Sequence, residues 1–210
     1  MDFYLRRFGN IIDYDIRGGQ IPLRFQPPVP CMRRSVLFVL DVSLSLDNGG
    51  MGVLYNHLME LMDSLDVYDD LTGDMLLMGT GVNGDECEWL SGSMVPLVEL
   101  RDMMNGMDRA MGLTPVFNAL EHLAGRVATM DPSVKPAIVF LTDGQTGYVT
   151  AEEVGDAVSG CLRDCPRLVL LTGYNHDEDV MDVLASSPEH VTHDPYAMTD
   201  AIRGLLGGFP

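Results

Sequence analysis

Lysine is almost missing from this chain: Lys135 stands alone among 13 basic residues, and the other twelve are arginines. Basic residues of either kind are outnumbered by 31 acids, leaving a formal net charge of -18. A groove that neutralises phosphates needs the opposite balance, so nucleic acid is not an expected ligand. Cysteine is also scarce. Cys31, Cys87, Cys161 and Cys165 are too few and too scattered for a disulfide scaffold, and the C-x3-C of the last two is not a zinc-knuckle spacing, so free thiols are expected. No apolar run approaches the roughly 20 residues that span a bilayer. The opening MDFYLRRFGNIIDYDIRGG lacks the apolar core of a secretory signal. Together these absences predict a cytoplasmic protein with no membrane span.

What is present is ordinary globular material. The 210 residues are 46% apolar with a mean hydropathy of +0.09, enough for one well-cored domain. Charge is unevenly placed: residues 1–34 hold six arginines and three acids, so a basic segment precedes a strongly acidic body. Pro22, Pro27, Pro28 and Pro30 fall in the same segment and favour an extended path. The division expected is therefore a basic, proline-containing arm over 1–34, laid over the domain or offered to a partner, and a single domain over 35–210.

Four apolar runs, VLFVL at 36–40, MLLM at 75–78, AIVFL at 137–141 and LVLL at 168–171, lack polar alternation and suit strands covered on both faces. Helical periods lie between them, at Leu54, Leu58, Leu61 and Leu65, at Val116, Leu120 and Leu123, and at Val154, Ala157, Val158 and Cys161. Val180, Val183 and Leu184 predict a further helix, HVTH a short last strand, and Met198, Ile202, Leu205 and Leu206 a closing helix. This alternation predicts an α/β fold, doubly wound, with a mostly parallel central sheet flanked by helices on both faces. In such sheets ligands bind where the strands end and helix N-termini open.

The residues at those ends are oxygen-rich. Asp41, Ser43 and Ser45 alternate on the chain leaving the first run, so their three oxygens can turn toward one point. Asp143 follows the third run, and Thr114 stands in Gly112-Leu113-Thr114-Pro115 just before a helical period. Carboxylates and hydroxyls are hard donors that suit Mg2+ or Mn2+ better than soft metals.

The D-x-S-x-S of Asp41, the G-x-T-P turn and the L-T-D-G of Thr142-Asp143-Gly144 together resemble the von Willebrand factor type A (VWA) domain and its metal-ion-dependent adhesion site. The resemblance runs from about Arg34 to about Gly207. It looks closest to small bacterial cytoplasmic VWA proteins associated with tellurite-resistance and chemical-stress operons, through Pro96-Leu97 and Thr114-Pro115-x-x-x-Ala119-Leu120. The resemblance implies that Ser43 and Ser45 ligate Mg2+ directly, Thr114 directly or through water, and Asp41 and Asp143 mainly through water. It also implies a coordination position left for a Glu or Asp of a protein partner, with Mn2+ or Ca2+ as other possible cations, in a stress-response or signalling assembly. The chain departs from the family pattern at Leu44, where Gly is common, at Leu46, where Met is common, and in the longer loop 47–50. A bulkier Leu44 is expected to tighten the crevice.

Gly79-Thr80-Gly81-Val82-Asn83-Gly84 has the literal form of a dinucleotide-binding loop, but Asp85, Glu86 and Glu88 follow it, and a glycine turn between two strands is preferred. An EF-hand starting at Asp41 would need Gly and Glu where Leu46 and Gly52 stand. His57 and His122 read as ordinary helix residues, and His190 and His193 as a possible surface pair. The fifteen methionines read mainly as core filling. No general base, nucleophile or acid stands out, so the chain is expected to be a non-enzymatic, metal-dependent protein-binding module. The alternative is a Mg2+-dependent phosphohydrolase or a nucleotide-binding protein that uses the Gly79 loop.

Overall fold

A computed structural model describes residues 34–46, 49–65, 71–81, 83–104, 112–147, 149–173 and 176–206. The arm expected over 1–34 lies outside them, apart from Arg34. The α/β unit runs from Arg33 to Pro210.

Its elements alternate in chain order. Strand β1 (Arg34–Asp41) leads to α1 (Gly50–Leu65), and β2 (Leu71–Thr80) to β3 (Glu86–Trp89) and β4 (Val95–Pro96). Helices α2 (Leu97–Met103) and α3 (Val116–Thr129) follow, then β5 (Ala137–Thr142), α4 (Ala151–Val158), β6 (Arg167–Leu171), α5 (Glu178–Leu184), β7 (Val191–Thr192) and α6 (Pro195–Leu205). The sheet order is β3-β2-β1-β5-β6-β7, with β4 also paired to β2. Strands β1, β2, β5, β6 and β7 run parallel, and β3 and β4 run antiparallel to β2.

The four apolar runs all lie in strands, and the reason is visible in their burial. Every residue of β1 after Arg34, and every residue of β5 and β6, is buried. Successive side chains of a strand alternate between faces, so an unbroken apolar run requires cover on both. Val36, Phe38 and Leu40 pack with Leu54, Leu58 and Leu61 of α1 and Met198 and Ile202 of α6. Leu37 and Val39 pack on the other face with Val116, Leu120 and Leu123 of α3, Val154 of α4 and Val180 of α5. Seven of the methionines, Met51, Met62, Met75, Met78, Met104, Met181 and Met198, lie in this core, as filling requires.

Strand β2 extends beyond its MLLM run and carries an unexpected charge. Asp74 is fully buried at its middle, where Oδ1 accepts from the Met75 amide and the Ser91 hydroxyl. Arg126 of α3 reaches Asp74 Oδ2 at 2.8 Å and lies over the Trp89 ring at 4.3 Å. This pair ties α3 to β2.

Helix starts are set by local signals: Thr150 and Glu153 form a reciprocal capping box on α4, and Asp177 and Asp194 cap α5 and α6 through their side chains. Helix α3 begins differently. Its N-cap, Pro115, offers no side-chain cap, so the turn bearing Thr114 keeps its hydroxyl out of helix capping.

The chain leaves β1 toward β2 on one side and returns to place β5 on the other. The carboxyl ends of β1 and β5 therefore border the crevice where the winding reverses, the usual ligand position of open α/β sheets.

Candidate metal-binding site

Asp41 is the last residue of β1 and has no exposed surface. Its carboxylate is held from both sides: the Ser43 amide donates to Oδ1 at 2.9 Å, and the Thr142 hydroxyl donates to Oδ2 at 2.6 Å. Burial pushes this carboxyl up from 3.8 to about 6, against the hydrogen bonds from Thr142 and Ser43 that pull it down, and neighbouring Asp143 adds to the rise. Thr142 in turn accepts from the Gly144 amide at 3.0 Å, and Asp143 Oδ1 accepts from the Gln145 amide at 3.0 Å. One threonine thus couples the two acidic loops.

Ser43 is buried and Ser45 is exposed, and their hydroxyl oxygens lie 2.8 Å apart. Two adjacent ligands of an octahedral Mg2+, each at 2.0–2.1 Å, stand about 2.9 Å from one another, so the serine pair has the spacing of one octahedral edge. The engagement of both Asp41 oxygens in direct hydrogen bonds fits an acid that acts on a cation through intervening water. Among the described residues no three His, Cys, Asp or Glu side chains converge as a metal-binding group. The oxygens gathered at these strand ends are instead the hydroxyls of Ser43 and Ser45 and the carboxylates of Asp41 and Asp143, hard donors of the class that suits a divalent cation such as Mg2+.

The Thr114 loop is fixed to the Ser43 loop and to the β2–β3 turn by one backbone hydrogen bond each. The Leu44 amide donates to the Gly112 carbonyl at 2.8 Å, and the Leu113 amide donates to the Gly84 carbonyl at 2.9 Å. Gly84 and Gly112 both have positive φ, 69° and 96°, and their backbones touch so closely that a Cβ on either would overlap the Cα of the other. The structure thus brings Asp41, Ser43, Ser45 and Asp143 to the β1 and β5 ends, and anchors the loop of Thr114 against them.

The same contact settles the Gly79–Gly84 motif. The turn joins β2 to antiparallel β3, with no helix opening behind it, so it is a hairpin turn and not a dinucleotide-binding loop. Its glycines allow the approach to Gly112.

Leu44 departs from expectation. It is 55% exposed, and Leu113, next to the Gly112 whose carbonyl accepts from the Leu44 amide, is 64% exposed, so both present apolar surface to solvent. The histidine pair also differs: the ring of His193 lies 5.5 Å from that of His176, and its Nδ1 is 3.2 Å from the Leu171 carbonyl oxygen. Sequence reasoning passed over Thr142, although it stands inside the L-T-D-G that supplied Asp143.

No known family profile and no curated protein matches the chain. Solved structures do. A von Willebrand factor type A protein from Catenulispora acidiphila superposes with a TM-score of 0.62 at 16% identity, over 83% of this chain and 42% of that one. Proximal thread matrix protein 1 from the mussel byssus, with a zinc-occupied MIDAS motif, gives 0.61 at 15% identity, over 83% and 45%. The VWA domain of SpRpn10 gives 0.60 at 10% identity, over 84% of this chain and 98% of that domain. The chain spans under half the length of the first two. Its fold is the VWA fold.

Proposed function

We propose that this chain is a divalent-cation-dependent protein-binding module, with Ser43, Ser45 and Thr114 as hydroxyl ligands and Asp41 and Asp143 acting mainly through water. The observation that carries the reading is the 2.8 Å serine pair beside a fully buried Asp41, both on the chain leaving the central strand. A bound Mg2+ or a similar cation supplies an electrophilic position that an external Glu or Asp carboxylate can fill. Because the nearest ligands are neutral hydroxyls, little of the positive charge is cancelled before the partner arrives.

The protein's own residues organise that capture. Thr142 holds Asp41 oriented, the Gly84–Gly112 contact fixes the Thr114 loop, and Leu44 and Leu113 offer an apolar rim for the flanks of a partner segment. The mussel protein's zinc-occupied motif on the same fold supports the metal reading. A role in a cytoplasmic stress-response assembly with no catalytic turnover is part of the proposal and rests on the sequence alone.

Amide spectra titrated with Mn2+ test the assignment. Paramagnetic broadening should spread outward from Ser43, Ser45, Thr114 and Gly144 at the lowest Mn2+ additions. Broadening that begins in the acidic surface of α4 or α5 and reaches these amides last would refute it.

A further inference from the structure

The sheet ends at β3, and among the described residues no strand pairs with its outer edge. The hydrogen bonds on either side of β2 settle which backbone groups of β3 face outward. The Leu90 amide donates to the Met75 carbonyl at 2.8 Å, and the register sets Trp89 opposite Leu76 and Glu88 opposite Leu77. Bonded and unbonded pairs alternate along an antiparallel ladder, so Leu90 and Glu88 turn their N–H and C=O toward β2, while Cys87 and Trp89 turn theirs away from it. The far side of β2 agrees: the Val42 amide donates to the Met78 carbonyl at 2.9 Å, which aims Met78 at β1 and leaves Leu77 for β3. Among the described residues nothing bonds to the outward groups of Cys87 and Trp89.

The side chains of β3 divide by face as well. Cys87 and Trp89 are half-buried and pack on the core beneath α3, whereas Glu86 and Glu88 are exposed on the other face and form no ion pair with a described residue. Beside Trp89 a hollow runs along α3 past His122 to Gly125, where a Cβ would meet nothing within 4 Å.

We propose that the β3 edge takes up an extended segment of a partner protein in which basic residues alternate with apolar ones, adding a strand to the sheet. Main-chain hydrogen bonds to Cys87 and Trp89 hold the segment, and its alternate side chains supply the selectivity. Residues directly across a ladder share a face, so those beside Glu86 and Glu88 are arginine or lysine, and those beside Cys87 and Trp89 are apolar, covering the indole and reaching the hollow. A second copy of this chain is a poor occupant. Two-fold pairing through Cys87 would set the glutamates of the two copies against each other, and like charges facing across a ladder destabilise it. The same glutamates guard the edge against strands that lack basic residues. This surface uses none of the residues assigned to the cation and does not depend on the metal reading.

The probe is acetyl-Arg-Val-Arg-Val-Arg-amide with the full chain in EDTA, and Trp89, the single tryptophan, is the reporter. The peptide should change Trp89 emission saturably and slow hydrogen exchange at the Cys87 and Trp89 amides. N-methylation of both valines removes the main-chain donors that face Cys87 and Trp89, and should weaken binding about tenfold. The block isomer acetyl-Arg-Arg-Arg-Val-Val-amide, of equal charge, should lose about as much, because its side chains fall on the wrong faces. Glu86→Gln with Glu88→Gln, both exposed positions, should weaken binding about fivefold at an unchanged melting temperature. Equal binding of the block isomer would reduce the effect to attraction by an acidic chain and overturn the proposal. Equal binding of the N-methylated peptide would overturn the added strand. Protection of the Cys87 and Trp89 amides that grows with protein concentration in the absence of peptide would give the edge to a second copy and overturn the partner.

Discussion

The hydroxyl of Thr142 donates to Asp41 Oδ2 at 2.6 Å, joining the ends of two adjacent strands whose residues lie 101 positions apart in the chain. Because Thr142 also accepts from the Gly144 amide, its side chain orders the acid of one loop and the backbone of the other together.

Thr142→Val therefore removes a donor from a buried carboxylate and an acceptor from a backbone amide. A loss of about 1–3 kcal/mol in urea unfolding is expected, with weaker Mg2+ binding alongside it, whereas Thr142→Ser should retain both properties. A valine variant with wild-type Mg2+ affinity would show that Asp41 needs no such support.

The raised pKa of Asp41 fixes a sign for the metal-free protein. Between about 3.8 and about 6 the folded state holds a proton that the unfolded chain has released, so stability from this group falls as pH rises through that window. The full swing is on the order of 3 kcal/mol, at about 1.36 kcal/mol per unit. It should appear in EDTA as the difference between wild type and Asp41→Asn across pH 4 to 7. Stabilisation by Mg2+ should run the other way, present above about pH 6 and fading below it as Asp41 takes up its proton. A wild-type minus Asp41→Asn difference that does not vary with pH would contradict the burial-raised value.

Gly84→Ala and Gly92→Ala form a matched pair. Both glycines have φ near +70°, but a Cβ at Gly92 meets nothing within 4 Å, while one at Gly84 collides with Gly112. Gly92→Ala should cost only the left-handed backbone penalty of about 1–2 kcal/mol. Gly84→Ala should cost more and also lower Mg2+ affinity, because the Thr114 loop is displaced. Equal effects on denaturation midpoint and on Mg2+ titration would show that the two loops are not coupled.

Arg126→Met leaves Asp74 buried and unpaired, for a loss of about 3–5 kcal/mol. Arg101→Met breaks an exposed contact to Asp63 and should cost at most about 1 kcal/mol. Comparable losses in the two unfolding curves would mean that the Asp74 pair is solvated.

The strands were legible because unbroken apolar runs have one reading in a chain of this size, buried on both faces. The ligand candidates were legible because D-x-S-x-S and L-T-D-G sit where such runs end. Spacing alone could not reveal that Leu44 is bound to the Thr114 loop through its backbone, since the Gly112 carbonyl that holds its amide lies 68 residues away. The second purpose of the Gly79–Gly84 turn was hidden for the same reason: it depends on a backbone meeting between two glycines distant in the chain. Asp74, just before the MLLM run, carries no signal in the sequence, and only the fold supplies Arg126 and Trp89 to cover it.

The most direct test of the central claim is thermal unfolding of the wild type and of Asp41→Ala with Ser43→Ala, each in EDTA and in millimolar Mg2+. A cation at about 100 times its dissociation constant adds roughly 2.7 kcal/mol to the state that binds it. A rise of that order in the wild type, absent from the double variant, is the predicted result. An equal rise in both proteins would mean that a chain of net charge -18 merely gathers counterions, and that no cation is held between Asp41 and Asp143.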